Sequence, residues 1–334
     1  MVMPYTVVSI VLCFVFSLIA LPYWMRRCSY HNLLITDAQK YPAKRVPYLA
    51  GLVVVFGAVS GMLFYIAAQT FLGIDGNNVV VLLAAISAIL IALMIGVVDD
   101  LLGERIGLRK YQKLILTFFV SLPVVVVNAG HKLMNFPFFG AVQLGNFYSF
   151  FVVPVGIVGA SNGFNMLAGL NGLEAGMGLI ILGTLGFLTF KSGSIAASVI
   201  ALCMFAAILP FFWYNKFPAR ILPGNGFTYA VGATIAVVAI VGDVERAAII
   251  LFIPYFVELI LKSRGRFVKE SLARPLADGS IVNKYKSWYS LNHVVISLLR
   301  AIKGRAREWE VALILICVEL FFAGITVYLH YGQI

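Results

Sequence analysis

Apolar stretches about as long as a bilayer is thick recur along this chain, and no other feature limits its fold so strongly. A helix that crosses a membrane needs roughly 20 consecutive apolar residues. Windows of that kind fall at about 4–25, 47–72, 77–98, 112–130, 147–167, 172–190, 194–215, 226–242, 246–262 and 309–330. Lipid offers the backbone no hydrogen-bond partner, so such runs are expected as helices. The expected fold is an all-α polytopic membrane protein with about ten transmembrane helices, and residues 1–334 read as one integral membrane domain. Composition agrees, with 61% hydrophobic and 12% charged residues, against roughly 45–50% apolar content in soluble domains. The first run is too long, and too closely followed by Arg26 and Arg27, for a cleaved signal peptide. Cys13, Cys28, Cys203 and Cys317 lie far apart with no metal-ligand spacing, which points to structural burial.

Charge gives the orientation. All but Lys132, Lys191 and Arg246 of the 25 basic residues fall in the odd-numbered connections between the apolar runs. Cationic loops stay in the cytoplasm, so those connections are expected inside and both termini outside. The net charge of +11 then gathers on the cytosolic face, where it also suits anionic membrane lipid. The only long polar connection is 263–308. Within it, "SLARPLADGSIVNKY" reads as two short extended runs joined by Asp278-Gly279, a favoured hairpin pair. Leu291, Val294, Val295, Leu298, Leu299 and Ile302 then follow at helical spacing, with Arg300, Lys303 and Arg305 nearby, as in a helix lying in the membrane interface. Residues 263–308 are thus expected as a small cytosolic cap of hairpin and amphipathic helix between the last two spans.

Three polar patches interrupt the apolar runs on that same expected side. "VVDD" ends the third run with Asp99 and Asp100. Acids at a helix C-terminus face its partial negative charge, so a cation should lie close by. They read either as solvated loop acids paired with Arg105 or Arg109 or as working groups. In "ASNGFNMLAGLNGLEAG", Asn162 and Asn165 share a helix face; their amide oxygens suit a hard cation and their amide hydrogens a sugar or base. Gly169, Gly172 and Gly176 permit close backbone approach, to a ligand or to a neighbouring helix. "KFPARILPGNGFTYA" places Pro223, Gly224, Asn225 and Gly226 ahead of the eighth run, where a helix N-terminus can receive an anion or frame a metal; ordinary loop punctuation is the alternative. Acids, amides and bases converging on one cytosolic pocket suit a phosphate-rich soluble substrate with a divalent metal.

With "VVDD" at 97–100, "NGFNMLAGLNGLEAG" at 162–176 and "FPARILPGNGFTYAVG" at 217–232, the chain resembles the polyprenyl-phosphate N-acetylhexosamine-1-phosphate transferase superfamily. It is most similar to the eukaryotic and archaeal dolichyl-phosphate branch. Bacterial members read Asp-Gly-Leu-Asp-Gly where this chain has Ala168-Gly169-Leu170-Asn171-Gly172. The similarity runs from about residue 37 to the C-terminus, and the superfamily's ten-helix architecture agrees with the span count. The resemblance implies transfer of N-acetylglucosamine-1-phosphate from UDP-GlcNAc to a polyprenyl or dolichyl phosphate with release of UMP, the first step of lipid-linked oligosaccharide assembly for N-glycosylation. It further implies Mg²⁺, with Mn²⁺ as a substitute, often a homodimer, and no nucleic-acid partner. The membrane would be the cell membrane in an archaeon and the endoplasmic reticulum in a eukaryote.

Residue by residue, the resemblance makes Asp99 and Asp100 the pair that holds or deprotonates the lipid phosphate or supports the metal. Lys113 would neutralise phosphate. Asn165 matches a metal ligand with Asn162 beside it, Gly169 allows close approach, and Asn171 matches a uracil contact. Arg264 and Arg266 resemble the arginine pair that grips the diphosphate, a task suited to guanidinium geometry. The sequence departs from the family in three places, one being a loop between Asp100 and Lys113 longer than in eukaryotic members, which leaves the residue expected near the sugar without a match. Asn225 stands where the family has a metal-binding Asp, and Val46-Pro47-Tyr48-Leu49 replaces an Ile-Pro-Glu-Ser stretch. A secondary transporter is the rival class, but it would place ionisable residues deep inside several spans. Only Glu319 reads as a mid-membrane acid, with a buried structural hydrogen bond expected for it.

Overall fold

The computed structural model describes residues 2–73, 78–130, 133–136 and 140–331. The side chain of Arg105, and Lys132 as a whole, lie outside the described residues, so neither is placed here. The chain is built from helices α1 (Val2–Tyr30), α2 (Ala50–Leu72), α3 (Val79–Ile106), α4 (Lys110–Val126), α5 (Val153–Met166, entered through a π-turn at Tyr148–Val152), α6 (Leu173–Lys191), α7 (Ile195–Asn215), α8 (Asn225–Gly242), α9 (Glu245–Leu251), α10 (Ile253–Arg264), α11 (Leu291–Lys303) and α12 (Glu308–Tyr331). Among the described residues, eight helices are long and apolar enough to cross a membrane: α1, α2, α3, α5 with its π-turn, α6, α7, α8 and α12. This is an integral membrane protein of mainly helical structure.

The other two expected spans take a different form. α4 has 17 residues, and the run at 246–262 is divided into α9 and α10 at Phe252. Pro254 stands in the first turn of α10. Proline disfavours helical geometry in the residue before it and lacks an N–H, so a helix starts there more readily than it continues.

Three antiparallel hairpins decorate the bundle. β1 (Leu34–Asp37) pairs with β2 (Lys44–Pro47), β3 (Leu133–Phe136) with β4 (Gly140–Gln143), and β5 (Arg274–Pro275) with β6 (Ile281–Val282). Only the last is expected from the sequence, and it turns at Asp278-Gly279 with Gly279 at φ 76°. Asp278 holds that turn by accepting from the Ser280 amide at 3.0 Å and its hydroxyl at 2.7 Å. α11 follows as expected, its N-cap Ser290 accepting from the Asn292 amide.

α8 is the axis of the molecule. It packs on α2, α3, α5, α6 and α7, and is buried over nearly its whole length. A helix apolar all round belongs in such a position. Its N-terminal turn is set by two close approaches: a Cβ on Gly96 of α3 would lie 2.4 Å from the Asn225 carbonyl, and one on Gly51 of α2 would lie 2.4 Å from the Phe227 amide nitrogen. Small residues let membrane helices meet backbone to backbone. At these two positions they bring the end of α3 that bears the acids against the start of α8. Gly96→Ala should therefore push the two apart, lower the melting temperature in detergent by the equivalent of about 1–3 kcal/mol, and reduce turnover more than tenfold.

Candidate active site

Asp99 is buried and fully engaged. Its Oδ2 accepts from Lys113 Nζ at 2.5 Å and from Asn225 Nδ2 at 2.8 Å, and its Oδ1 from the Leu108 amide at 2.9 Å. The local backbone makes this possible: Gly103, at φ 64°, breaks the helical path, and the chain folds back so that Leu108 reaches Asp99. Among the described residues, the cation paired with Asp99 is Lys113, in the first turn of α4. Asp100 is held instead by neutral donors, the backbone amides of Asn225 and of Gly226, the latter at 3.3 Å. A carboxylate at the N-terminal turn of α8 meets the positive end of that helix. Gly224 makes room for it, since a Cβ there would stand 2.6 Å from Asp100 Oδ2. Tyr48 lies in the same field, and burial together with the Asp100 carboxylate pushes its hydroxyl above the usual tyrosine range.

The two asparagines on α5 differ in task. Asn162 donates from Nδ2 to Thr117 Oγ1 and to the Val158 carbonyl, both at 2.9 Å, tying α5 to α4. Asn165 Oδ1 accepts from Thr228 Oγ1 at 2.7 Å, tying α5 to α8. The 167–172 loop is fixed from below. Gly169, at φ 101°, donates its amide to the buried Glu174 Oε1 at 2.8 Å, and Gly172 donates to Asn215 Oδ1 at 3.1 Å.

Asn171 sits in a separate buried hub. Its Oδ1 accepts from the Ala219 amide at 2.9 Å, its Nδ2 donates to Asp37 Oδ2 at 3.2 Å, and its own amide donates to Glu308 Oε1 at 2.7 Å. Lys40 completes the hub through an ion pair with Glu308. The hub joins the β1–β2 hairpin, the 167–172 loop, the loop before α8 and the start of α12.

A cleft of about 1170 Å³ opens beside these groups. Lys113, Asn162, Asn165, Gly169 and Asn225 line one end, together with Lys262, Phe267 and Ser271. From there it follows α8 as far as Ile240, roughly 22 Å at the helical rise per residue. Its middle is apolar, walled by Val155, Ile235, Ala239, Ile249 and Phe252. Gly156 and Gly159 widen it, because a Cβ on either would meet nothing within 4 Å. At the far end the Tyr148 hydroxyl donates to Glu245.

The structure thus brings together Asp99, Asp100, Lys113, Asn162, Asn165, Gly169 and Asn225 at one end of the bundle. Asn171 lies in the neighbouring hub, and Arg264, the last residue of α10, and Arg266, in the turn after it, are exposed; none of these three lines the cleft, and neither do Asp99 and Asp100. Arg266 and Phe267 both adopt left-handed backbone, at φ 53° and 57°, and Phe267 lines the mouth. Sequence reasoning missed Thr228, Glu174 and Lys262. Thr228 follows Asn225 by three residues and so shares its helix face, which was a readable signal; the other two show only once the helices are packed.

Residues 79–243 match the family model described as glycosyl transferase family 4. A Saccharolobus solfataricus protein with the provisional name UDP-N-acetylglucosamine–dolichyl-phosphate N-acetylglucosaminephosphotransferase is 33% identical over 323 residues, covering 96% of this chain and 95% of its own. The chain belongs to glycosyl transferase family 4. Another relative in the comparison is the UDP-N-acetylglucosamine–dolichyl-phosphate N-acetylglucosaminephosphotransferase of Dictyostelium discoideum, 32% identical over 66% of this chain and 61% of its own. The phospho-N-acetylmuramoyl-pentapeptide-transferase of Lactobacillus delbrueckii subsp. bulgaricus is 28% identical over 70% of this chain and 75% of its own. The matched segment of this family 4 member contains both acids, Lys113, the α5 asparagines and Asn225.

Removing the cation tests the site's geometry. Lys113→Met would leave Asp99 buried against Asn225 without its counter-charge, and turnover should fall by at least about a hundredfold. Lys113→Arg should restore part of it, whereas equal rates in the wild type and the methionine variant would remove Lys113 from the site.

Proposed function

We propose that this family 4 enzyme transfers N-acetylglucosamine-1-phosphate from UDP-GlcNAc to a polyprenyl or dolichyl phosphate at the cytosolic face of its membrane, giving GlcNAc-diphospho-lipid and UMP. The observation that carries this reading is the continuity of the cleft, whose charged and amide-lined end runs directly into a long apolar groove. A soluble phosphate donor suits the first part and an isoprenoid tail the second. The names of the relatives support the same pair of substrates.

An oxygen of the lipid phosphate attacks the sugar-bearing phosphorus of UDP-GlcNAc, the bond from that phosphorus to the bridging oxygen breaks, and UMP leaves with that oxygen. Such a transfer is catalysed by positioning and by screening negative charge. Lys113 supplies positive charge beside the attacking phosphate. Asp99, saturated by Lys113, Leu108 and Asn225, orients the lysine and the amide. Asp100, hydrogen-bonded by the backbone amides of Asn225 and Gly226, offers its carboxyl to a cation or to the proton of a singly protonated lipid phosphate. Arg264, at the end of α10, and Arg266, in the turn after it, would reach in from outside the cleft to grip the diphosphate. Asn171 shapes the 167–172 loop, since a direct uracil contact would require one of its bonds to be given up.

Mg²⁺ fits these residues. No group of three or more His, Cys, Asp or Glu side chains among the described residues could hold a metal, and the oxygens near the acids that could add to a site are those of amides. Asp100, Asn165 and Asn225 offer hard oxygen donors of the kind Mg²⁺ takes. When bound, the ion would screen the diphosphate. We further propose that the short α4 and the broken α9–α10 complete a set of ten spans, that residues 263–308 cap the cytosolic side, and that both termini lie outside.

Two experiments test this reading. Purified protein should release UMP from UDP-GlcNAc only when a polyprenyl phosphate is present. Gly159→Leu, whose Cβ would meet no protein atom within 4 Å and which adds bulk at the groove wall, should raise the KM for the lipid at least about tenfold and leave that for UDP-GlcNAc unchanged. UMP release without lipid, or an unaltered lipid KM, would count against it. Asn225→Asp places a second carboxylate against Asp99 Oδ2, and like charges that close disfavour each other. Activity should then depend more steeply on Mg²⁺, and an unchanged metal titration would remove Asn225 from the ligand set.

A further inference from the structure

Glu319 lies in the middle of α12 with 0% exposure, and neither carboxyl oxygen has a hydrogen-bond partner. Tyr255 on α10 is 2% exposed, and its hydroxyl is also unpartnered. α10 and α12 pack together, and the Glu319 carboxyl lies within electrostatic reach of that hydroxyl. Glu174 is the other acid acting on the Tyr255 hydroxyl, but it is already engaged by the Gly169 amide. Ionisable side chains at this depth are rare and pair with something, and buried polar atoms are seldom left unmatched. Among the described residues, these are the unmatched buried side-chain atoms on the packed pair α10 and α12.

Their position gives the pair a consequence. The Tyr255 ring lines the cleft, while Glu319 stands behind it and does not. That ring stacks on Phe164 of α5 at 5.5 Å and on Phe252 at 4.7 Å, so it joins α5 to the start of α10 beside the groove. Stacking alone fixes the plane of a ring loosely, and a phenylalanine would serve it equally well. A hydroxyl bonded at its far end fixes the ring's tilt as well.

We propose that Glu319 is a positioning residue for the lipid acceptor, receiving a hydrogen bond from the Tyr255 hydroxyl through one buried water, and thereby setting the residue that walls the isoprenoid groove. The contact itself is independent of the function proposed above, whereas its effect on the acceptor rests on that function.

The test uses the full chain with Tyr255→Phe, Glu319→Leu, Glu319→Gln and the double variant Tyr255→Phe/Glu319→Leu. Tyr255→Phe and Glu319→Leu should each raise the KM for polyprenyl phosphate about fivefold, the worth of one net hydrogen bond, with the KM for UDP-GlcNAc unchanged. The double variant should be no worse than the singles. Glu319→Gln keeps an acceptor oxygen at similar reach and should behave as the wild type. Melting temperatures without substrate should show the same non-additivity, and they judge the contact even if the wild type released no UMP, a result that would defeat only the proposed function. Additive losses, parallel changes in both KM values, or Glu319→Gln behaving like Glu319→Leu would overturn the proposal. Should Glu319→Leu fail to fold, Tyr255→Phe and Glu319→Gln still decide it: an unchanged lipid KM in Tyr255→Phe overturns it.

Discussion

Asp99 joins three helices through one carboxylate. Lys113 comes from the start of α4, Asn225 from the start of α8, and Leu108 from the segment folded back after the break at Gly103. In a bundle held mainly by small-residue packing, a buried charge with these partners fixes where the helix ends stand. Removing any one partner leaves the others facing an unbalanced charge in low dielectric. In the proposed function the same contacts would serve the chemistry, because the cation that stabilises Asp99 is the one that would screen the lipid phosphate. Stability and catalysis are therefore coupled at this point, and the backbone contacts at Gly96 and Gly51 exist to permit it.

Around this centre the polar residues divide into two groups with different work. Those on the cleft, Lys113, Asn165 and Asn225, retain capacity for a ligand. Those in the hub, Asp37, Lys40, Asn171, Asn215 and Glu308, satisfy one another and bind four surface segments into one frame. The loop between them, with Gly169 left-handed and tied to Glu174, transmits the frame to the cleft. This division explains why so apolar a chain carries so many amides and acids at one end.

Much of this was readable from the residues in order. Eight of the expected spans correspond to long apolar helices, because hydropathy over a full bilayer thickness is a strong signal. The Asp278-Gly279 hairpin and α11 follow from local turn and periodicity chemistry. The β1–β2 and β3–β4 hairpins were not foreseen, since four-residue strands flanked by membrane helices carry little periodic signal. The site patches were visible as patches, but their partners were not. Arg105 and Arg109 read as the counter-ions for the acids, whereas the fold-back after Gly103 brings Asp99 to Lys113. Asn171 and Asn165 look alike in sequence, yet tertiary packing puts one in the hub and the other on the cleft.

The central claim is that the phosphorus next to the sugar moves with it. UDP-GlcNAc labelled with ³²P at that phosphorus, incubated with the protein, a polyprenyl phosphate and Mg²⁺, measures this directly. The label should pass into the lipid phase with one UMP formed for each labelled lipid. Label remaining in water as UDP while sugar enters the lipid, or no transfer by folded protein, would contradict the account.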